Sequence, residues 1–395
     1  MIDIVNPRPE WMPPAYGGGS ILDLVHWIRA RLQLKPADVG VPLAGGLPTA
    51  GGQRLVLGLF DGLGDLYLRR QGAHSAMLAA RRAGLSSVFP STTASAVTTL
   101  MTGLSPASHG LNGWVCRGHG SVGLFEPLPM IYHDTRKPLR HFLRRRRLFP
   151  YRSLYQGLGC ISFVISPAWL IDSDFSRLHS RGAAVAGYRS LDEVPELLAF
   201  ALERLGPRGL IHLYVPHFDA TAHDHGMTSP ELAAMFARLD DCFARLAECC
   251  DAGEATLLAT ADHGLIDAPE DQMICLGADA GIGSMLAAPL WGERRAAFCA
   301  LRPGSEQAFR DAIAVRWPER IDVLGARQVL DSGLLGPGRP HRDLAVRIGD
   351  LLLLPRGAGT IVDAAQPQDV HRLVAVHGGL SPEEMSVPLL VAGSA

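Results

Sequence analysis

The sequence has 395 residues, of which 37 are Lys or Arg and 39 are Asp or Glu, so its formal net charge is −2 at pH 7. This balance provides no global attraction to nucleic acid or to anionic lipid, and we expect neither as a partner. Among the seven cysteines only Cys249 and Cys250 are closely spaced, which argues against a disulfide framework and against a CxxC zinc site.

The first twenty residues lack the basic start and the apolar core of a signal peptide, and no apolar run is long enough to span a bilayer. Together with the cysteine content, this favours a soluble protein of a reducing compartment. We therefore expect a cytoplasmic location.

Short apolar runs and helical patterns alternate along the chain. The predicted elements, in chain order, are a helix over 20–34, a turn-rich loop over 35–52, strands over 54–60 and 160–166, a helix over 190–205, a strand over 209–215, a helix over 229–249, and strands over 255–260 and 387–391. The strands are apolar on both faces, as strands buried in a parallel sheet are. This pattern predicts an α/β fold with a mostly parallel central sheet and helices on both faces.

Residues 297–350 have a different pattern and predict a small α+β insertion. The expected elements are a strand over 297–303, a helix from Ser305 to Trp317, a strand over 321–325, and strands over 344–348 and 350–355. The predicted domains are then an N-terminal extension over 1–52, a main domain formed by 53–296 and 351–395, and the insertion over 297–350.

Carboxylates and imidazoles follow the predicted strands or lie in Gly-flanked loops. In open α/β sheets ligands bind at the carboxyl ends of the strands, so these side chains are candidates for one shared site. Each alone is compatible with a turn or with a packed histidine, but three carboxylates and three imidazoles together suit two zinc-like ions. The candidates are Asp61, Asp219, His223, Asp262, His263 and His377.

A predicted helix over 93–102 is preceded by a cluster of hydroxyl residues, Ser91, Thr92 and Thr93, with Ser95 in its first turn. Ser and Thr commonly cap helix starts, and this explanation needs only one hydroxyl. Alternatively, one hydroxyl reacts at the helix N-terminus, where free amides and the helix dipole favour developing negative charge. The second explanation requires catalytic partners elsewhere in the chain.

These candidate residues, in this order, resemble the alkaline phosphatase superfamily, and most closely its type I phosphodiesterase/nucleotide pyrophosphatase family. The similar segments are FDGLG, FPSTTASAVTTLMTGLSPASHGLNG, YVPHFDATAHDHG, ATADHG, RIGD and HGGLSPEEMSVPLL, which are scattered over 54–395. The resemblance implies a hydrolase that uses two divalent metal ions, zinc or alternatively manganese, on a small phosphorylated substrate.

The resemblance also implies individual roles. One ion is bound by Asp61, Asp262 and His263, and the other by Asp219, His223 and His377. Thr93 lies between the ions as ligand and nucleophile, and forms a covalent phospho-threonine intermediate that water hydrolyses. Thr92, which directly precedes Thr93, is the alternative candidate for the nucleophile.

The sequence departs from the better-known nucleotide pyrophosphatases beyond the nucleophile, where Ala94-Ser95-Ala96 replaces their aromatic-Pro-Asn stretch. The amide of Ala94 is expected to meet the phosphoryl oxygen, and Asn112 is the candidate replacement for the missing Asn. We identify no Arg that would neutralise the second charge of a phosphomonoester, so a phosphodiester or pyrophosphate substrate is favoured.

Other functions of the same superfamily remain open, namely phosphomonoesterase and phosphonate hydrolase. A different class is a non-catalytic metal-binding protein that uses the basic run 140–147, RHFLRRRR, as its contact surface. Such a protein would be expected to lack a ligand or the nucleophile, and this chain lacks neither.

Overall fold

The computed structural model describes residues 8–33, 43, 45–47, 53–363 and 373–394. Its centre is a seven-stranded sheet, which contains, from edge to edge, Arg81–Ser86, Ser386–Gly393, Thr256–Thr260, Gln53–Phe60, Arg208–Val215, Ile161–Pro167 and Ala184–Tyr188. The last five strands in this order are mutually parallel, and Ser386–Gly393 is antiparallel to both of its neighbours. The predicted α/β fold with a mostly parallel central sheet is confirmed.

Helices flank this sheet because its central strands are apolar on both faces. In Gln53–Phe60 six consecutive residues are buried, so side chains of both orientations pack against covering elements. The α-helices are Ile21–Gln33, Asp65–Gln71, Ala76–Ala79, Thr93–Thr102, Pro106–His109, Phe142–Leu148, Tyr155–Leu158, Ala168–Ile171, Asp174–His179, Val194–Arg204, His217–His225, Pro230–Ala252, Ala280–Met285, Glu306–Arg316, Ala326–Asp331, Leu344–Ile348 and Pro382–Met385.

The N-terminal helix Ile21–Gln33 packs into the main hydrophobic core. Ile21, Leu24 and Ile28 are fully buried there together with residues of the central sheet. The loop predicted over 35–52 lies almost entirely outside the described residues.

A second sheet of four antiparallel strands contains, in spatial order, Trp291–Glu293, Ala296–Cys299, Leu351–Pro355 and Ile321–Gly325. The helix Glu306–Arg316 packs against the strand Ile321–Gly325, as expected for an α+β unit. The strands of this sheet come from 291–355, a wider stretch than the 297–350 expected from sequence.

One predicted strand is wrong, because 344–348 forms the helix Leu344–Ile348. LAVRI is a short, mostly apolar run with the β-branched residues Val346 and Ile348, which favours a buried strand but also occurs in helices. However, the chain turns at Gly349, whose φ of 72° is available to glycine at low cost, and this turn ends the helix. The turn also separates the helix from the strand Leu351–Pro355.

Three smaller sheets complete the fold, and they contain Cys116–Arg117 with Leu124–Glu126 and Ile131–Tyr132, Ile266–Asp267 with Ala375–Val376, and Met273–Cys275 with Thr360–Val362. All seven cysteines are free thiols. In the described ranges no helix combines the length and apolar composition needed to cross a membrane.

Candidate active site

The candidate metal-binding carboxylates meet at the carboxyl edge of the central sheet. Asp61 directly follows Gln53–Phe60, and Asp262 follows the neighbouring strand Thr256–Thr260. Asp219 lies in the helix after the strand on the other side, and its amide donates to the carbonyl of Asp61 over 3.2 Å. Parallel neighbouring strands therefore bring together three acids that are up to about two hundred residues apart in sequence.

Gly62 permits this close approach. Its φ is 75°, and a Cβ atom at this position would lie 2.9 Å from the Cβ of Asp219 and 2.8 Å from Leu265. Its amide also donates to Oδ1 of Asp262 over 3.0 Å. The glycine in the FDGLG segment thus connects all three carboxylates.

Asp61, Asp262 and His263 form a buried group whose ligand atoms lie within 4.8 Å of one another. The Nε2 atom of His263 lies 3.5 Å from Oδ1 of Asp61 and 3.4 Å from Oδ2 of Asp262. Two carboxylates and one imidazole are a suitable ligand set for a zinc-like ion. The residues expected to bind the first ion are brought together.

A second group combines Asp219 and His377 with the same His263, again with ligand atoms within 4.8 Å. His223 contacts this group through Asp219, since its Nε2 atom lies 3.2 Å from Oδ2 of that residue. The rings of His263 and His377 stack with centroids 3.7 Å apart. Two residues of the second expected set, Asp219 and His377, therefore lie in one group, which also contains His263, and the third, His223, contacts Asp219.

Backbone carbonyls fix the orientation of the three imidazoles. The Nδ1 atoms of His223, His263 and His377 lie 2.7, 3.1 and 3.2 Å from the carbonyl oxygens of Ala375, Gly264 and Ser91, respectively. A carbonyl can only accept, so Nδ1 carries the proton in each neutral ring. Nε2 is then the free acceptor and faces the carboxylates, as in metal sites with oriented histidine ligands.

One carboxylate oxygen of each acid, Asp61 Oδ1, Asp219 Oδ1 and Asp262 Oδ2, is buried without a hydrogen-bond donor among the described residues. Buried charged oxygens without donors are costly, and a cation satisfies them directly. Burial, and next the charges of Asp262 and Asp219, raise the pKa of Asp61 well above its ordinary value. The residues present therefore fit divalent metal ions.

Asp219 and His223 form an ion pair at this edge. Although burial opposes ionisation of Asp219, the charge and hydrogen bond of His223 hold its pKa below the ordinary value. Burial alone would lower the pKa of His223, but the attraction of Asp219 raises it to about 9. A proton on His223 thus compensates one carboxylate, in the place where a bound cation would act.

Thr93 is the first residue of the helix Thr93–Thr102, and its Oγ1 lies 3.1 Å from Nε2 of His263. This hydroxyl is therefore next to the imidazole that belongs to both metal-binding groups. The first-turn amides of the helix, including that of Ala94, provide the positive end of the helix dipole at the same point.

The neighbouring hydroxyls do not cap the helix, so the expected capping role is wrong. Thr92 has the N-cap position, but its Oγ1 donates to Oε1 of Glu293 over 2.6 Å. Ser91 and Ser95 donate to the carbonyls of Gly379 and Leu111. These side chains connect the start of the helix to distant loops, and Thr93 is left facing the metal-binding groups.

Glu293 is a site residue that the sequence did not indicate. It ends the strand Trp291–Glu293 and accepts hydrogen bonds of 2.6 Å from both Thr92 and the amide of Trp114. Burial raises its pKa to about 7. No pattern in the surrounding WGERR segment distinguishes this acid, because only the tertiary fold brings the end of the strand Trp291–Glu293 to the start of the helix Thr93–Thr102.

The sequence also did not indicate Tyr214 as a site residue, because it lies within the predicted strand over 209–215 and no motif distinguishes it. Its hydroxyl donates to Oδ2 of Asp61, and burial together with the charge of that acid raises the pKa of the phenol well above its ordinary value. The tyrosine therefore holds one oxygen of Asp61 and leaves the other for a cation.

Asn112 is 1% exposed, and its Nδ2 donates to the carbonyl of Arg347 over 2.8 Å. Trp291 Nε1 donates to the same carbonyl. The Oδ1 atom of Asn112 is buried without a partner among the described residues. The amide thus has a structural contact, and its role in binding phosphate stays a prediction.

Two kinds of known protein data are similar to this chain: a family model and a set of solved structures. The family model described as "type I phosphodiesterase/nucleotide pyrophosphatase" matches residues 55–128 and 152–380, more than half of the chain. Among curated protein sequences none matches.

Solved structures share the fold at low sequence identity. Murine ectonucleotide pyrophosphatase/phosphodiesterase 5, an inactive threonine-to-alanine variant in complex with AMP, is 17% identical with a TM-score of 0.66, and the match covers 87% of this chain and 88% of that one. The human protein of the same name is 18% identical with a TM-score of 0.63, and the match covers 87% of this chain and 88% of that one. Phosphonoacetate hydrolase from Sinorhizobium meliloti, in complex with phosphonoacetate, is 18% identical with a TM-score of 0.60. This match covers 86% of this chain and 90% of that one.

Proposed function

Because the chain belongs to the type I phosphodiesterase/nucleotide pyrophosphatase family, and is therefore a phosphoric ester hydrolase, we propose that it cleaves phosphodiester or pyrophosphate bonds through a covalent intermediate on Thr93. The observation that carries the proposal is the position of Thr93 Oγ1, which lies 3.1 Å from His263 Nε2, beside carboxylate oxygens that are buried and have no donor in the described part of the chain.

We assign two divalent ions, zinc or manganese, to the two groups described above, with Asp61, Asp262 and His263 holding one ion. Asp219, His223 and His377 hold the other. When bound, the ions lower the pKa of a coordinated hydroxyl and neutralise the phosphoryl group. A threonine hydroxyl is otherwise a weak nucleophile at neutral pH.

The residues of the chain then act in two steps. Thr93 Oγ1 loses its proton and attacks phosphorus, a bond from Oγ1 to phosphorus forms, and the bond from phosphorus to the leaving oxygen breaks. The first-turn amides, including that of Ala94, donate to the phosphoryl oxygen on which negative charge develops. In the second step a water oxygen bonds to phosphorus from the opposite side, the bond between phosphorus and Oγ1 breaks, and a proton given up by the water returns to Thr93.

Glu293 supports a diester or pyrophosphate substrate over a monoester. Its carboxyl group binds Thr92, the residue before the nucleophile, so an acid lies beside the phosphate site. Where Glu293 is ionised, above its raised pKa of about 7, it repels the two negative charges of a phosphomonoester more than the single charge of a diester. The nearby Trp114, which is 48% exposed and bound to Glu293 through its amide, offers a flat surface to the leaving group.

A trapping experiment tests the intermediate. Metal-loaded protein is mixed with a dinucleoside pyrophosphate, quenched in acid after milliseconds to seconds, digested, and analysed by mass spectrometry. We expect the added mass on the peptide that contains Thr93, with no such adduct in Thr93→Ala. An adduct that persists in Thr93→Ala and disappears in Thr92→Ala would move the nucleophile by one residue. Release of nucleoside monophosphate without any adduct would contradict the covalent mechanism.

The seven free cysteines support a reducing compartment, and we place the protein in the cytoplasm. Fractionation of the source cells, with detection by an antibody, tests this location. Recovery of the protein outside the cytoplasmic fraction would contradict it.

A further inference from the structure

A groove with a volume of about 930 Å³ lies apart from the candidate active site and contains none of its residues. It is lined by residues of the helices Phe142–Leu148 and Asp174–His179 and of the segments beside them. Eight of its fifteen lining residues are arginines, and Asp174 is its single acid. We call this feature the arginine groove, and it includes the basic run over 140–147 that the proposed function does not use.

The high density of positive charge in the groove indicates a binding site, whereas the use of arginine rather than lysine does not. Only two of the 37 basic residues of the chain are lysines, so arginine is the usual cation throughout. However, the chain has nearly equal numbers of acidic and basic residues. A randomly placed group of lining residues would contain similar numbers of both, whereas this groove is almost entirely basic.

Three of the groove arginines have carboxylate partners. Arg145 binds Asp174 over 3.3 Å, while Arg147 and Arg177 bind acids outside the groove lining. The other five are exposed and have no carboxylate within 4.0 Å in the described part of the chain; they are Arg140, Arg146, Arg152, Arg181 and Arg342. Such like charges repel one another, and a bound anion removes this repulsion.

We propose that the arginine groove binds a compact ligand that carries several linked phosphate groups. Each guanidinium presents a planar pair of donors that matches two oxygens of a phosphate, and five uncompensated cations match the closely spaced charges of linked phosphates. The lining also includes the exposed apolar side chains of Phe142 and Leu143, which are 71% and 66% exposed. They offer contact to a part of the ligand that carries no phosphate.

The shape of the groove favours this ligand over the two macromolecules that arginine clusters also bind. A flat bilayer reaches the rim of a concave site but not its floor. Nucleic-acid strands require an extended basic channel with successive exposed rings for stacking, whereas this groove is a single concavity whose lining has one exposed ring, Phe142. A compact polyphosphate fills the concavity and reaches arginines on both sides of it.

Calorimetric titration with the magnesium salt of tripolyphosphate tests the proposal. The full chain is used in its metal-loaded form with Thr93→Ala, which prevents turnover of the probe. The test variant adds Arg146→Glu and Arg181→Glu. The matched control adds Arg316→Glu and Arg327→Glu, which produce the same charge change at exposed positions that do not line the groove.

We expect the groove substitutions to weaken tripolyphosphate binding at least roughly tenfold, while the control retains the parent affinity. Binding at the metal centre is common to all three proteins, so the difference reports the groove alone. Equal affinities in all three proteins would overturn the proposal, and so would orthophosphate that binds as tightly as tripolyphosphate. Two further arms use vesicles with anionic lipid and a single-stranded RNA. Selective loss of either of these interactions, with tripolyphosphate binding unchanged, would assign the groove to that macromolecule and overturn the proposal.

Discussion

Asp61→Asn is predicted to stabilise the metal-free protein and to reduce its stabilisation by zinc. The substitution keeps the shape of the side chain and removes one of the clustered charges. The amide oxygen can still accept from Tyr214, and the new Nδ2 replaces an oxygen that has no donor among the described residues. It can also donate to Oδ2 of Asp262, which is buried without a partner in the same ranges.

The magnitude follows from the separation of the acids. Ligand atoms of Asp61 and Asp262 lie within 4.8 Å of each other. Two unit charges at that distance repel by about 1 kcal/mol in water and by about 3.5 kcal/mol at an effective dielectric constant of about 20. Because burial and the neighbouring acids already raise the pKa of Asp61, part of this repulsion is relieved by a proton, and we expect a gain of about 1–3 kcal/mol at pH 8.

Urea unfolding with chelator and with zinc measures both effects. Asp322→Asn provides the matched control, because Asp322 is an equally buried acid that binds Arg356 over 2.7 Å outside the site. The control should be destabilised by loss of an ion-pair partner and should keep the stabilisation by zinc. The reasoning is refuted if metal-free Asp61→Asn is less stable than the parent protein, or if zinc stabilises it as much as the parent.

The other predictions concern the nucleophile, the second metal-binding group and a buried histidine. Thr93→Ala should keep both metal ions and lose activity by about 10³-fold or more, whereas Thr92→Ala should stay within about tenfold of the parent in steady-state assays; the opposite pattern would make Thr92 the nucleophile. Asp219→Ala or His377→Ala should bind about one metal ion fewer per chain by elemental analysis, and unchanged metal content with full turnover would exclude them as ligands. Burial lowers the pKa of His212 from 6.5 to about 4. The unfolded chain therefore binds the proton more tightly, and the native state should lose about 2 kcal/mol from this residue as pH falls from 7 to 5. His212→Gln, which can still bond to Tyr155, should reduce that pH dependence in urea unfolding, and an unchanged slope would assign it to other groups.

The central sheet could be predicted because its strands are short, apolar on both faces and separated by helical patterns. The same reasoning failed at 344–348, where a mostly apolar run of five residues forms a helix. So short an apolar run is compatible with either structure, and no periodicity in it distinguishes the two.

The cluster of candidate metal ligands could be anticipated because each follows a strand or lies beside glycines, and parallel strands end at one edge of a sheet. Glu293 could not be found in this way. It lies about two hundred residues after Thr92 in sequence, and only the tertiary fold brings the two side chains within hydrogen-bonding distance. Similarly, the hydroxyls before Thr93 indicated an unusual helix start, but their partners are distant carbonyls that no local pattern reveals.

The most direct test of the proposed function compares hydrolysis of bis-p-nitrophenyl phosphate with that of p-nitrophenyl phosphate. Purified protein is assayed after chelation and again after zinc or manganese is restored, with Thr93→Ala as the control and a phosphonate as a third substrate. The proposed function predicts diester cleavage that disappears on chelation, returns with metal, and is absent in Thr93→Ala. Preferential cleavage of the monoester or of the phosphonate, or diester cleavage that survives both chelation and Thr93→Ala, would contradict it.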